Sequence, residues 1–195
     1  EAPALFEAVA AESSKKIATF NSQDLANIMW AYATARVEAP ALFEAVAAEA
    51  SKRITMFNSQ ELANIVWAYS TMRVSAPALF EAVAAEASKK IETFNPQDLA
   101  NIVWAYSTLR VEAPGLFEAV AVEASKKVAT FDSQNLANTV WAYATAGVAA
   151  PALFEAVASE AAKKMATFTP QARANIVWAY ATTGVEAPAL FESVA

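Results

Sequence analysis

The chain of 195 residues contains no cysteine and no histidine. Their absence removes thiolate and imidazole metal sites, the cysteine nucleophile and the serine–histidine pair. The commonest general base goes with them. An enzyme is therefore not expected, and neither a metal nor a cofactor is. Disulfides are excluded too, which leaves the redox compartment open. Long uncharged runs are scarce. The longest, 133–154, is long enough to raise the question of a membrane span. Gln134, Asn135, Asn138, Gly147 and Pro151 interrupt it, and its counterparts elsewhere carry charges. No membrane association is expected, and no targeting segment ahead of it. Alanine supplies much of the 56 % apolar fraction, and the net charge of −6 argues against a generic polyanion binder. What matters is where the charges lie.

What the chain does have is a repeat. Glu1-Ala-Pro-Ala-Leu-Phe-Glu returns at Glu38, Ser75, Glu112, Ala149 and Glu186 without insertion or deletion. The units run 1–37, 38–74, 75–111, 112–148 and 149–185, with a partial sixth at 186–195. A fixed period in this range means stacked supersecondary units, each touching only its neighbours. Function is then sought in columns of side chains that recur from unit to unit.

Each unit reads as two helices. In the first, Pro3 suits the opening helical position. Leu5, Phe6, Val9, Ala10 and Ile17 share one face, with Glu7, Ala11 and Lys15 opposite. The second opens with Asn21-Ser-Gln-Asp24, an N-cap followed by an acid three residues on. Pro96 and Pro170 fall at its first helical position in units three and five. Leu25, Ile28, Met29 and Tyr32 form its apolar stripe, widened by Ala26, Ala33 and Trp30. It ends near Arg36-Val37, where Gly147 and Gly184 fill the same turn. The expected fold is an all-α solenoid of helix–turn–helix units in a right-handed superhelix, forming one array. Neither end carries polar capping repeats, so a longer array or end-to-end self-association is expected.

Three column sets could carry function. The first lies on the second helix at i, i+4, i+7 and i+11, beside the apolar arc. It reads Gln23/Asn27/Trp30/Thr34 and recurs unchanged as Gln60/Asn64/Trp67/Thr71, Gln97/Asn101/Trp104/Thr108, Gln134/Asn138/Trp141/Thr145 and Gln171/Asn175/Trp178/Thr182. Asparagine is a poor mid-helix residue, so five copies need a reason. One is a buried ladder, with asparagine bonded to a neighbouring turn and tryptophan filling the gap. The other is a track for an extended ligand: bases stack on aromatics, and amides bond base edges or a peptide backbone.

The second set is basic. Lys15/Lys16, Lys52/Arg53, Lys89/Lys90, Lys126/Lys127 and Lys163/Lys164 close the first helices, and Arg36, Arg73 and Arg110 form a turn column. The doublets lie just before the second helices begin, which makes them candidate phosphate contacts. Helix-dipole compensation and the pairs Glu12–Lys16, Glu49–Arg53, Glu86–Lys90, Glu123–Lys127 and Glu160–Lys164 are the alternative account. It covers the second residue of each doublet but not the first.

The third set varies. The N-cap column reads Asn21, Asn58, Asn95, Asp132, Thr169, and the next reads Asp24, Glu61, Asp98, Asn135, Ala172. Variation at a helix's opening turn is how one-base-per-repeat readers encode sequence, which makes these candidate base-reading positions. Plain surface drift accounts for it equally well.

The unit Phe-Asn-Ser/Pro-Gln-Asp-Leu-Ala-Asn-Ile-Val-Trp-Ala-Tyr, followed by Ala-Pro-Ala-Leu-Phe-Glu-Ala, resembles the octotricopeptide and heptatricopeptide repeats. Its most specific part is Pro96 to Ala105, and the likeness covers the whole chain. It implies paired-helix arrays that bind single-stranded RNA in chloroplasts or mitochondria and support processing, stability or translation of organelle transcripts. A scaffold holding an extended peptide or protein partner is the alternative, and a consensus array without an evolved ligand is a further one.

Overall fold

The protein is described by a computed structural model covering residues 2–194. Among these residues there are eleven α-helices and no strand, so the expected α-solenoid is what forms. The first helices of the units are α1 (Ala2–Lys16), α3 (Pro40–Lys52), α5 (Pro77–Lys90), α7 (Pro114–Lys127), α9 (Pro151–Lys164) and α11 (Pro188–Val194). The second helices are α2 (Ser22–Ala35), α4 (Ser59–Thr71), α6 (Pro96–Leu109), α8 (Ser133–Ala146) and α10 (Pro170–Thr183). None of the described helices is long and apolar enough to cross a membrane.

Local chemistry sets these boundaries. A proline opens α3, α5, α7 and α9, where its missing N–H costs no helical bond. Each first helix from α1 to α9 ends in its basic doublet and tightens into one 3-10 turn. Every second helix is capped by its own sequence. It stops at a left-handed residue: Arg36, Arg73 and Arg110 at φ 54°, 55° and 56°, Gly147 and Gly184 at 67° and 69°. Only glycine adopts that region without a Cβ penalty.

Within a unit, tyrosine clamps the two helices together. The hydroxyls of Tyr32, Tyr69, Tyr106, Tyr143 and Tyr180 donate to the carbonyls of Phe6, Phe43, Phe80, Phe117 and Phe154, each at 2.6 Å. The same rings meet edge to face with centroids 4.9–5.1 Å apart. Edge-to-face contact sets the positive ring edge against the negative face and adds about 0.5–1.5 kcal/mol beyond burial.

Between units the second helices pack closely and form one layer. Their contact positions hold small residues, among them Ala33, Ser70, Ser107 and Ala144, which let the backbones approach. Ser70 Oγ donates to Ala105 O at 2.9 Å and Ser107 Oγ to Ala142 O at 2.7 Å, crossing the junction. The first helices form a looser second layer, with clefts between neighbours. One apolar core runs through the array. In the first unit Leu5 and Val9 are exposed, whereas their counterparts Leu42 and Val46 are buried.

Candidate nucleic-acid interface

The conserved-register ladder lies along the second-helix layer, and it is not sealed. Trp30 and Trp178 are 48 % and 45 % exposed, while Trp67, Trp104 and Trp141 are half-buried. Trp141 and Trp178 stand with centroids 6.3 Å apart and planes inclined at 37°, next to each other but not stacked. Gln23, Gln60, Gln97, Gln134 and Gln171 are exposed, as is Asn27. Asn64, Asn101, Asn138 and Asn175 are half-buried. Among the described residues, none of these ten amide side chains bonds to another protein group. The hydroxyls of Thr71, Thr108 and Thr145 are shielded yet equally unpaired. The ladder of asparagines bonded to neighbouring turns is therefore not formed. A half-buried amide without a partner costs stability, and repeating it in register makes a row of donors and acceptors the protein leaves unused.

The basic doublets split into two roles. The second member reaches back across the junction to cap the preceding unit's 3-10 turn. Arg53 Nη2 donates to Phe20 O at 2.8 Å. Lys90 Nζ donates to Thr55 O and Phe57 O, both at 2.9 Å. Lys127 Nζ reaches Glu92 O and Phe94 O, both at 2.8 Å, and Lys164 Nζ reaches Ala129 O and Phe131 O at 2.8 and 2.7 Å. These side chains are only 28–34 % exposed. The first members Lys52, Lys89, Lys126 and Lys163 are 59–70 % exposed and meet the same glutamate at i−3, at 2.9–3.4 Å. One carboxylate thus serves both basic residues of each doublet, the first at i,i+3 and the second at i,i+4. In the first unit Lys15 and Lys16 both pair with Glu12 and both are exposed.

The glutamates respond to this pairing. Bonds from Lys90 and Lys89 hold the Glu86 carboxyl below its usual value, and Lys126 and Lys127 do the same to Glu123. Lys164 and Lys163 lower Glu160, and Lys16 with Lys15 lowers Glu12. In return the Glu123 carboxylate raises Lys126.

The variable opening turns are occupied. Asn21, Asn58 and Asn95 accept from the backbone N–H of Asp24, Glu61 and Asp98, whose carboxylates accept from the N-cap N–H in turn. Asp132 caps Asn135 N at 2.7 Å and Thr169 caps Ala172 N at 3.2 Å. Asp98 and Ala172 are buried. Burial raises the Asp98 carboxyl despite the bond it accepts from Asn95. The reciprocal box survives Asp-to-Glu exchange and is lost only where Asn135 and Ala172 stand. The N-cap column therefore serves capping in all five units, and the side chains of Asp24, Glu61 and Asp98 bond their own backbone, whereas those of Asn135 and Ala172 do not.

The turn arginines were legible as a column but not as strained residues. Arg36, Arg73 and Arg110 are exposed, carry positive φ, and form no side-chain bond among the described residues. Non-glycine residues in this region cost of order 1 kcal/mol or more.

An all-α array of stacked two-helix units, with a row of amides and indoles along one helix layer, defines a helical-repeat protein of the α-solenoid class. The chain belongs to the RNA-editing substrate-binding complex 6 protein family, whose sequence profile matches residues 4–195. No curated protein matches it significantly.

Proposed function

We propose that this array is a non-catalytic, single-stranded RNA-binding module of an RNA-editing assembly, acting in organelle RNA metabolism. The observation that carries the reading is the unpaired Gln/Asn/Trp ladder, one set per unit and at least partly open to solvent, with the shielded threonine hydroxyls of the middle units beside it. Indoles of this exposure offer stacking platforms for bases, and amides supply bonds to base edges or sugar hydroxyls. The exposed Lys15, Lys52, Lys89, Lys126 and Lys163 lie at the edge where the second helices begin and supply phosphate contacts. The family's name and the octotricopeptide-like unit support the same reading. Because the ladder is identical in every unit and the variable column is engaged in capping, binding is sequence-tolerant.

The test is a salt titration of binding to fluorescein-labelled oligouridylate. One phosphate per unit predicts a slope of about −0.7 for each, or about −3.5 for five. Trp104→Ala should weaken binding by about 1–3 kcal/mol, the worth of one base–aromatic stack. Salt-insensitive binding, or Trp104→Ala with unaltered affinity, would refute the proposal.

A further inference from the structure

The looser layer of first helices carries a second surface with different chemistry. Between α3 and α5 lies a cleft of about 710 Å³, floored by Phe43, Tyr69, Met72 and Val74 and rimmed by Glu38 and Glu44. One unit further on, a cleft of about 400 Å³ has Phe80, Tyr106, Leu109 and Val111 beneath Glu81 and Glu112. Both open at the edge where first helices begin, the end opposite the basic doublets, and the larger one continues along α3 as far as Ser51. Acid dominates that edge. Glu7, Glu44, Glu81, Glu118, Glu155 and Glu192 recur on the first helices, with Glu38, Glu112 and Glu186 just before them. None of the nine forms an ion pair among the described residues. Three turn arginines share the edge, so the carboxylates outnumber cations three to one.

We propose that this edge docks a basic segment of a protein partner, its apolar side chains seated in successive clefts and its lysines or arginines between the glutamates. Charge complementarity selects the occupant, because a row of unpaired carboxylates repels nucleic acid and attracts cations. Spacing selects its conformation. Packed helices lie about 8–10 Å apart, and a polyproline-type chain rises about 3.1 Å per residue. Every third side chain of such a segment therefore falls about 9 Å on, opposite the next cleft and on the same side.

The experiment is fluorescence anisotropy with a labelled nonapeptide of three Lys-Pro-Leu triplets, set against Glu-Pro-Leu and Lys-Pro-Ser counterparts. The Lys-Pro-Leu peptide should bind at least about tenfold more tightly than either. Combined Glu44→Gln and Glu81→Gln should weaken it about fivefold, and Ala48→Arg, a cation beside the larger cleft, should weaken it further. All three positions are exposed, and circular dichroism confirms that the variants fold. Equal affinity for the Lys-Pro-Leu and Glu-Pro-Leu peptides, or no response to these substitutions, overturns the proposal. Sedimentation showing self-pairing relieved by Ala48→Arg overturns it in favour of a second copy. Competition by oligouridylate would place RNA on this edge and overturn it as well. Ladder substitutions such as Trp104→Ala should leave peptide binding unchanged, so failure of the RNA reading and failure of this one are separable.

Discussion

Replacing Lys127 with methionine isolates the contact that joins the third and fourth units. Its Nζ lies 2.9 Å from Glu123 Oε1 and 2.8 Å from the carbonyls of both Glu92 and Phe94. Methionine keeps much of the aliphatic stem, so lost packing contributes little. What disappears is two charge-assisted bonds across the junction, each worth about 1.5–3 kcal/mol in a favourable setting. The lysine is 28 % exposed, and the freed carbonyls can rehydrate, which brings the total down to or just below the bottom of that summed range, about 2–3 kcal/mol. Lys126 stays beside Glu123 and keeps that nearly buried carboxylate from being orphaned. Urea unfolding by far-ultraviolet circular dichroism reads the loss. Hydrogen exchange at the Phe94 turn locates it, because a solenoid unfolds by neighbouring units rather than all at once. The control is Lys126→Met, which removes the exposed partner of the same glutamate and touches no carbonyl. Its midpoint should barely move. Equal shifts for the two variants would show that the doublet acts only through Glu123, and the capping argument would fail.

Arg110→Gly should stabilise the array by about 0.5–1 kcal/mol, since Arg110 holds φ 56° without a compensating side-chain bond; a lower urea midpoint would contradict it. Stability should also fall at both pH extremes. Glu12, Glu86, Glu123 and Glu160 have depressed folded values, so their contribution is complete above the unfolded carboxylate value of 4.5 and lost as pH drops through the folded ones. Asp98, raised by burial, opposes this trend alone. Burial also raises Tyr32, Tyr69, Tyr106, Tyr143 and Tyr180, whose contribution is complete below the unfolded value of 10.0 and declines above it. Urea midpoints from pH 3 to 11 check both limbs, and a flat alkaline limb would sink the tyrosine argument.

The helices were legible because their signals are local. Proline at the first position, asparagine with an acid three residues on, and a left-handed stop each act within one turn and repeat in phase. The destination of Lys90 or Lys127 was not legible, because its carbonyl partners lie 33 and 35 residues back and meet it only once units stack. Helical-wheel reasoning placed Trp30 at the border of a wide apolar arc, but a wheel cannot say how much of a border residue the neighbouring unit covers. The opening-turn column concealed its capping role for a different reason. Exchange among Asp24, Glu61 and Asp98 looks like variation in a reader, yet each side chain accepts the same N-cap bond.

The acidic balance and the RNA reading conflict only while charge is treated as a sum. Within α3, Glu44 and Lys52 are eight residues apart, which at about 1.5 Å per residue is about 12 Å along the axis. Repetition turns that interval into two rails, one acidic and one net basic, because each doublet outnumbers its paired glutamate two to one. The Debye length at physiological ionic strength is about 8 Å, so a phosphate beside Lys52 is largely screened from Glu44. The N3 carboxylates lie nearer the ladder, but those of Asp24, Glu61 and Asp98 already accept from backbone N–H groups at positive helix ends, which offsets their field. Net charge is then a property of the whole molecule that neither edge experiences. An array with every lysine at one end of its first helices can attract a polyanion there and a polycation at the other end, at the same salt concentration.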